Sequence, residues 1–146
     1  MFERVNVNMK EILFRAKRID NGEWVYGQYL QRTDNHGEII DAFIVLDAYD
    51  QIRYGQRHIY SILGKESHRV DHKTAGQFTN RTDKNGKSIF EGDILRVGRT
   101  IFVCYWDDGN LKFALRNEKE SIGMAYMTIH YAEVIGNIYD NENLVD

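Results

Sequence analysis

Along residues 12–19 apolar and polar positions roughly alternate, with Ile12, Phe14 and Ala16 on one side, a period of two that predicts a β-strand. Asp20-Asn21-Gly22 follows, and Asn-Gly supplies the positive φ values of a tight hairpin turn. In the next run Trp24, Tyr26 and Gln28 share one face while Val25, Gly27 and Tyr29 share the other. The pattern predicts a hairpin of 12–19 against 23–30. After the polar loop at 33–37, the apolar run 39–46, broken by Asp41, has the length and β-branched content of a buried strand. Residues 47–66 lack a clean period and read as a variable loop or short helix, and 67–71 as a brief strand.

The second half is more sharply punctuated. Gln77-Phe78-Thr79 leads into Asp83-Lys84-Asn85-Gly86-Lys87, a second Asn-Gly turn. In the apolar run from Ile89 to Val97, Glu91-Gly92-Asp93 is a polar interruption, and Gly92 marks a bend or bulge. A strand at 100–106 turns at Asp107-Asp108-Gly109 and pairs back as 112–116. Residues 117–131 predict a loop with one or two helical turns, because Asn117 and Glu120 have capping-box spacing although Gly123 disfavours a helix. A last strand spans 133–139, and the acidic tail beyond it is solvated. Short strands between Gly/Asn/Asp turns argue for a barrel or a sandwich. The glycines assigned to turns are Gly22, Gly86, Gly92 and Gly109.

Composition narrows the class. With 146 residues the chain fits one domain or two very small ones, and 42% hydrophobic with 28% charged residues is ordinary for a soluble globular protein. The longest apolar runs are too short to span a bilayer as a helix, so no membrane partner is expected. There is no proline, and nine tyrosines with seven phenylalanines and two tryptophans suit half-buried strands. The single cysteine, Cys104, excludes an intrachain disulfide framework and multi-cysteine metal sites. The first nine residues are polar and unlike an export signal, which makes the cytoplasm the expected compartment. Residues 1–8, before the regular pattern begins, are expected to be a frayed extension or the product of an upstream start codon.

Several runs resemble a known family. These are Thr74-Ala75-Gly76-Gln77-Phe78-Thr79, the turn at 83–87, Ile89-Phe90-Glu91-Gly92-Asp93-Ile94, and Val134-Ile135-Gly136-Asn137-Ile138-Tyr139-Asp140. With Phe14-Arg15-Ala16-Lys17-Arg18 and Gly22-Glu23-Trp24-Val25-Tyr26-Gly27, they are similar to the YopX family of bacteriophage and prophage proteins over nearly the whole chain. Two departures stand out: Asn80 where glycine is expected, and His72 where the family often has proline. Asparagine is the next best residue for a left-handed backbone, so the turn survives. The resemblance implies a phage-encoded protein of a bacterial host cytoplasm, a mainly β fold with an SH3-like small barrel, and homo-oligomers. It implies no reaction, cofactor or catalytic residue. The expected organisation is therefore one domain over 1–146, with N-terminal strands and a variable loop at 9–66 and an SH3-like barrel core at 67–146.

Each candidate for chemistry has a plainer competitor. His68 and His72 with Asp71 have metal-ligand spacing on a helix, but the segment reads as strand and loop, and Lys65, Arg69 and Lys73 oppose a cation. Asp107-Asp108-Gly109 reads as a turn rather than an ion seat. Glu91 and Asp93 flank a bend, where hydrogen bonding to exposed amides is the plainer role than acid–base work. Cys104 reads as a buried small hydrophobe. No nucleophile elbow, Walker loop or dinucleotide fingerprint is present.

Net charge is −3, yet residues 65–100 hold eight basic residues against five acidic ones. Arg81, Lys84, Lys87, Arg96 and Arg99 are accordingly the candidate nucleic-acid contacts, since small barrels stack bases on aromatics beside cations. The reading that results is a phage accessory protein of unknown function. It is taken as a non-enzymatic, self-associating β-barrel interaction module with no cofactor, whose partners are its own copies and an unknown phage or host protein. The alternative is a nucleic-acid-binding small barrel; a hydrolase using Glu91, Asp93 or the histidines is a third reading.

Overall fold

The computed structural model describes residues 12–46, 67–125 and 130–145. The expected loop or short helix at 47–66 and the suspected extension at 1–8 lie outside those residues. Among the described residues there are ten strands: β1 (Phe14–Arg18), β2 (Trp24–Thr33), β3 (Ile39–Val45), β4 (Ser67–Thr82), β5 (Ser88–Phe90), β6 (Asp93–Val97), β7 (Thr100–Asp107), β8 (Lys112–Arg116), β9 (Ser121–Gly123) and β10 (Ala132–Asn137). A 3₁₀ turn at Glu142–Leu144 follows. The fold is mainly β, as the alternation predicts.

The strands form two antiparallel five-stranded sheets. The first has the order β1-β2-β3-β4-β5, with β1 also paired to β4; the second has the order β10-β6-β7-β8-β9. The sheets divide between β5 and β6, inside the segment expected to form the barrel core, so β4 and β5 join the N-terminal strands rather than the second sheet. The predicted first hairpin is β1 against β2, with Phe14 opposite Gly27 and Lys17 opposite Trp24.

In place of a brief strand at 67–71 there are sixteen residues of β4. Its period is hidden by a bulge: Arg15 faces Gly76 but Lys17 faces Asp71, so the residues between Asp71 and Gly76 are extra on one side. Thr74 repairs the ladder there. Its hydroxyl accepts from the Lys17 amide at 2.8 Å and donates to the Asp71 carbonyl at 2.7 Å. Further along β4, Asn80 takes φ 61°, the left-handed conformation for which asparagine substitutes for glycine.

Of the helical turns expected within 117–131, His130 and Tyr131 are helical and 126–129 lie outside the described residues, whereas 117–125 contain no helix. Asn117 Oδ1 accepts from the amides of Lys119 (2.9 Å) and Glu120 (3.0 Å), while the Asn117 amide donates to the Glu120 carbonyl. The capping-box spacing closes a β8–β9 hairpin, because an asparagine side chain caps a turn as readily as a helix.

Two apolar clusters hold the sheets. Ala16, Ala42, Ile44 and Val70 make the small one inside the first sheet. Ile89, Leu95, Phe102, Cys104, Leu115, Ala132 and Val134 make the larger one. Burying each of the larger aliphatic or aromatic side chains contributes about 1.5–3 kcal/mol. Ile89 belongs to β5 of the first sheet but packs with residues of the second, so this core joins both.

Candidate functional site

Where the two sheets meet, β1 turns Arg15 inward toward Asp93 at the start of β6. The guanidinium lies 4.7 Å from the Trp24 ring centre and 4.8 Å from that of Phe90, and its Nη2 donates to Asp93 Oδ1 at 2.6 Å. Asp93 Oδ2 accepts from the Phe90 amide at 2.8 Å. Only 7% of Arg15 and 2% of Asp93 is exposed, and the Arg15 Nε is buried without a partner. Burial pushes the Asp93 carboxyl upward, against the pull of Arg15 and the Phe90 amide.

Glu91 sits across Gly92 from Asp93, but it too is occupied. Its Oε1 accepts from the Gln77 amide at 3.0 Å, and burial raises its pKa against that bond. Gly92 has φ 85°, a conformation that favours glycine, and the Tyr139 ring packs over it. Burial, reinforced by the charge of Glu91, raises the Tyr139 hydroxyl. At the rim Asp140 accepts from Lys17 Nζ and from the Trp24 indole at 2.8 Å, and these bonds with one from Asn137 lower its carboxyl to about 2. The polar groups between the sheets therefore form a staple, each carboxylate committed to a cation or an amide.

The other sequence candidates disperse. Asp71 and His72 line a groove of about 470 Å³ with Lys17, Arg18 and Arg69, cations that oppose a metal ion there. His68 is not among the residues lining that groove, and Asp71 Oδ1 accepts from the Lys73 amide at the bulge. Among the described residues no group of three or more His, Cys, Asp or Glu is arranged to hold a metal ion. Asp107 accepts from the amides of Gly109 and Asn110, and Asp108 from the Trp106 indole, so both carboxylates serve the β7–β8 turn. The left-handed residue of that turn is Leu111, at φ 53°, not Gly109; Gly22 and Gly86 do take positive φ in theirs. Cys104 is buried with its Sγ 4.0 Å from Met124 Sδ, and burial drives its thiol far upward.

The basic candidates do not gather on one surface. Lys84 and Arg96 line one groove with Val97, Gly98 and Tyr131, and both reach Glu133, Arg96 at 2.7 Å and Lys84 at 3.8 Å. The Arg96 bond, opposed by burial, keeps the Glu133 carboxyl low. Arg99 lines a second groove with Arg116 and Lys119, while Arg81 and Lys87 lie on the β4–β5 hairpin and line neither. Asp83 fixes that hairpin: it accepts from the amides of Asn85 (2.8 Å), Lys87 (2.9 Å) and Val134 (2.9 Å). Those bonds outweigh burial and hold its carboxyl below the ordinary range.

Sequence reasoning missed Arg15, Asp140, Tyr131 and Glu133 as members of these arrangements. Arg15 and Asp93 lie 78 positions apart, and no local pattern pairs them. Tyr131 was hidden because its segment has no clear period.

Two antiparallel sheets stapled by a buried ion pair define the class as a mainly β scaffold. This chain belongs to the YopX protein family, whose model matches residues 13–146. The crystal structure of protein EF1440 from Enterococcus faecalis is similar, with a TM-score of 0.56 and 22% sequence identity over 93% of this chain and 99% of that one. At that identity the likeness concerns the fold alone. No curated protein matches the chain.

Proposed function

We propose that this YopX-family chain is a phage-type accessory protein that works by binding rather than catalysis, self-associating in the cytoplasm of a bacterial host. The observation that carries the reading is the end of the second sheet. Phe102 and Cys104 of β7 and Leu115 of β8 face the core, and the same face continues outward as Trp106 opposite Phe113. Their rings pack edge to face at 5.0 Å, Trp106 is 41% exposed, and Leu111 at the turn is 74% exposed. Leu111 is also held left-handed, a conformation costing about 1–2 kcal/mol for a residue with a Cβ. An apolar knob on a strained turn is the kind of surface that a partner covers.

Further support comes from β9, which among the described residues borders the second sheet with one side unpaired in the strand order, a route to pairing between copies. The order β10-β6-β7-β8-β9, in which the last strand returns beside the first, supports the SH3-like barrel that the resemblance implies. Sedimentation velocity across a concentration series tests the proposal. The native chain should sediment as an oligomer that Trp106→Ser weakens. Leu111→Gly serves as the folding control: it removes the knob and the backbone strain together, so it should lose association while gaining stability. A native chain that stays monomeric at high micromolar concentration contradicts self-association.

A further inference from the structure

We infer that the groove between the β4–β5 hairpin and the start of β10 binds single-stranded nucleic acid, with one base stacked on Tyr131 and its flanking phosphates on Lys84 and Arg96. This site is separate from the Trp106–Leu111 knob and goes beyond the self-association proposed above. The groove has a volume of about 510 Å³, within the size range of small-molecule sites, and Tyr131 is 63% exposed at its wall. An exposed aromatic side chain sharing a groove with two cations is the kind of arrangement that holds a base and its backbone without reading sequence.

The parts are held in place before any ligand arrives. The ladder places Ala132 opposite Val97 and Glu133 opposite Arg96, and Tyr131, helical and just before that strand, lines the groove with Gly98 of the β6–β7 turn. The Lys84 amide donates to the Ala132 carbonyl at 3.0 Å, and Asp83 holds the Val134 amide, which ties the lysine's hairpin to the strand that follows Tyr131. Space above Gly98 is open: a Cβ built there meets nothing within 4 Å, so a backbone can approach closely. The next residue, Arg99, leads into the second groove, which offers Arg116 and Lys119 to a strand continuing over the turn, along with Glu118 and Glu120. Lys84 and Arg96 remain 45% and 50% exposed, and Glu133 holds them as surface pairs that cost little to exchange for phosphate.

Fluorescence anisotropy of labelled oligothymidylate and oligouridylate, each about 12 nucleotides long, tests the site, with a matching duplex and heparin as competitors. Binding should weaken with salt along a log–log slope of about −1.4 to −2.1, the signature of two or three phosphate contacts on a single strand. Tyr131→Ala should weaken it by about fivefold or more and Tyr131→Phe should retain it, because the ring face does the stacking. Glu133→Gln should strengthen it, since it frees both cations from a competing carboxylate. Absence of binding at low salt, equal competition by duplex or heparin, or indifference to Tyr131→Ala would each overturn the inference. Circular dichroism of the exposed-site variants confirms that the fold is unchanged when those values are read.

Discussion

Two ion pairs leave the same strand of the first sheet, two residues apart: Arg15 reaches Asp93 of the second sheet inside the seam, and Lys17 reaches Asp140, in the turn after β10, at its rim. Inside, the arginine and aspartate side chains are 8% and 2% exposed, and the cation is packed against Trp24 and Phe90. At the rim the lysine and aspartate side chains are 24% and 36% exposed, and water competes with every bond. Desolvation makes the inner pair expensive to bury and more expensive to break, whereas screening makes the outer pair nearly dispensable. The lesson is that location relative to the seam, not residue type, decides what an ion pair does here.

Removing one inner partner should have the largest effect. Arg15→Ala or Asp93→Ala leaves its mate buried and uncompensated, so urea unfolding should show a loss of about 3–5 kcal/mol. Next comes Asp83→Ala, which orphans the amides of Asn85, Lys87 and Val134 and should cost about 1–3 kcal/mol in the same assay. At the rim, Lys17→Met should stay within about 1 kcal/mol.

Acid titration sharpens the contrast. The folded-state pKa of Asp140 lies at about 2, below its ordinary 3.8, so its contribution is present above 3.8 and lost as pH falls toward 2. Glu91 has the opposite sign: its folded pKa is raised above 4.5, so its charge erodes stability as pH rises through and beyond that value. Stability measured against pH should therefore be flatter above pH 4.5 in Glu91→Gln than in the native chain, and flatter below pH 3.8 in Asp140→Asn. Unchanged profiles in both variants would break this opposition.

What could be read from the sequence was local. Asn21-Gly22 and Asn85-Gly86 announce their turns because tight hairpins need φ values that few residues tolerate, and the same reasoning found the bend at Gly92, whereas Asn80 stood out only through the family resemblance. The length of β4 was illegible because its bulge breaks the alternation that marks a strand, and Thr74 hides the break by completing the ladder with its hydroxyl. Asn117 misled because one side chain serves a helix cap and a hairpin turn equally well. Of the candidate sites, Lys84 and Arg96 were visible as charges. Their meeting with Tyr131 needed the β6–β10 register, which no short-range pattern encodes. Gly109 was read as a turn residue and lies in the β7–β8 turn, but the left-handed residue there is Leu111, which no turn signal marks.

A double-mutant cycle on Arg15 and Asp93, read by urea unfolding of the native chain, Arg15→Met, Asp93→Leu and the pair together, tests most directly whether the polar seam is structural. The account predicts strong coupling, with the double variant recovering much of the stability that either single change loses. Additive losses, or an Asp93→Leu protein more stable than the native chain while Arg15 still lies buried, would contradict it and mark the carboxylate as kept for chemistry.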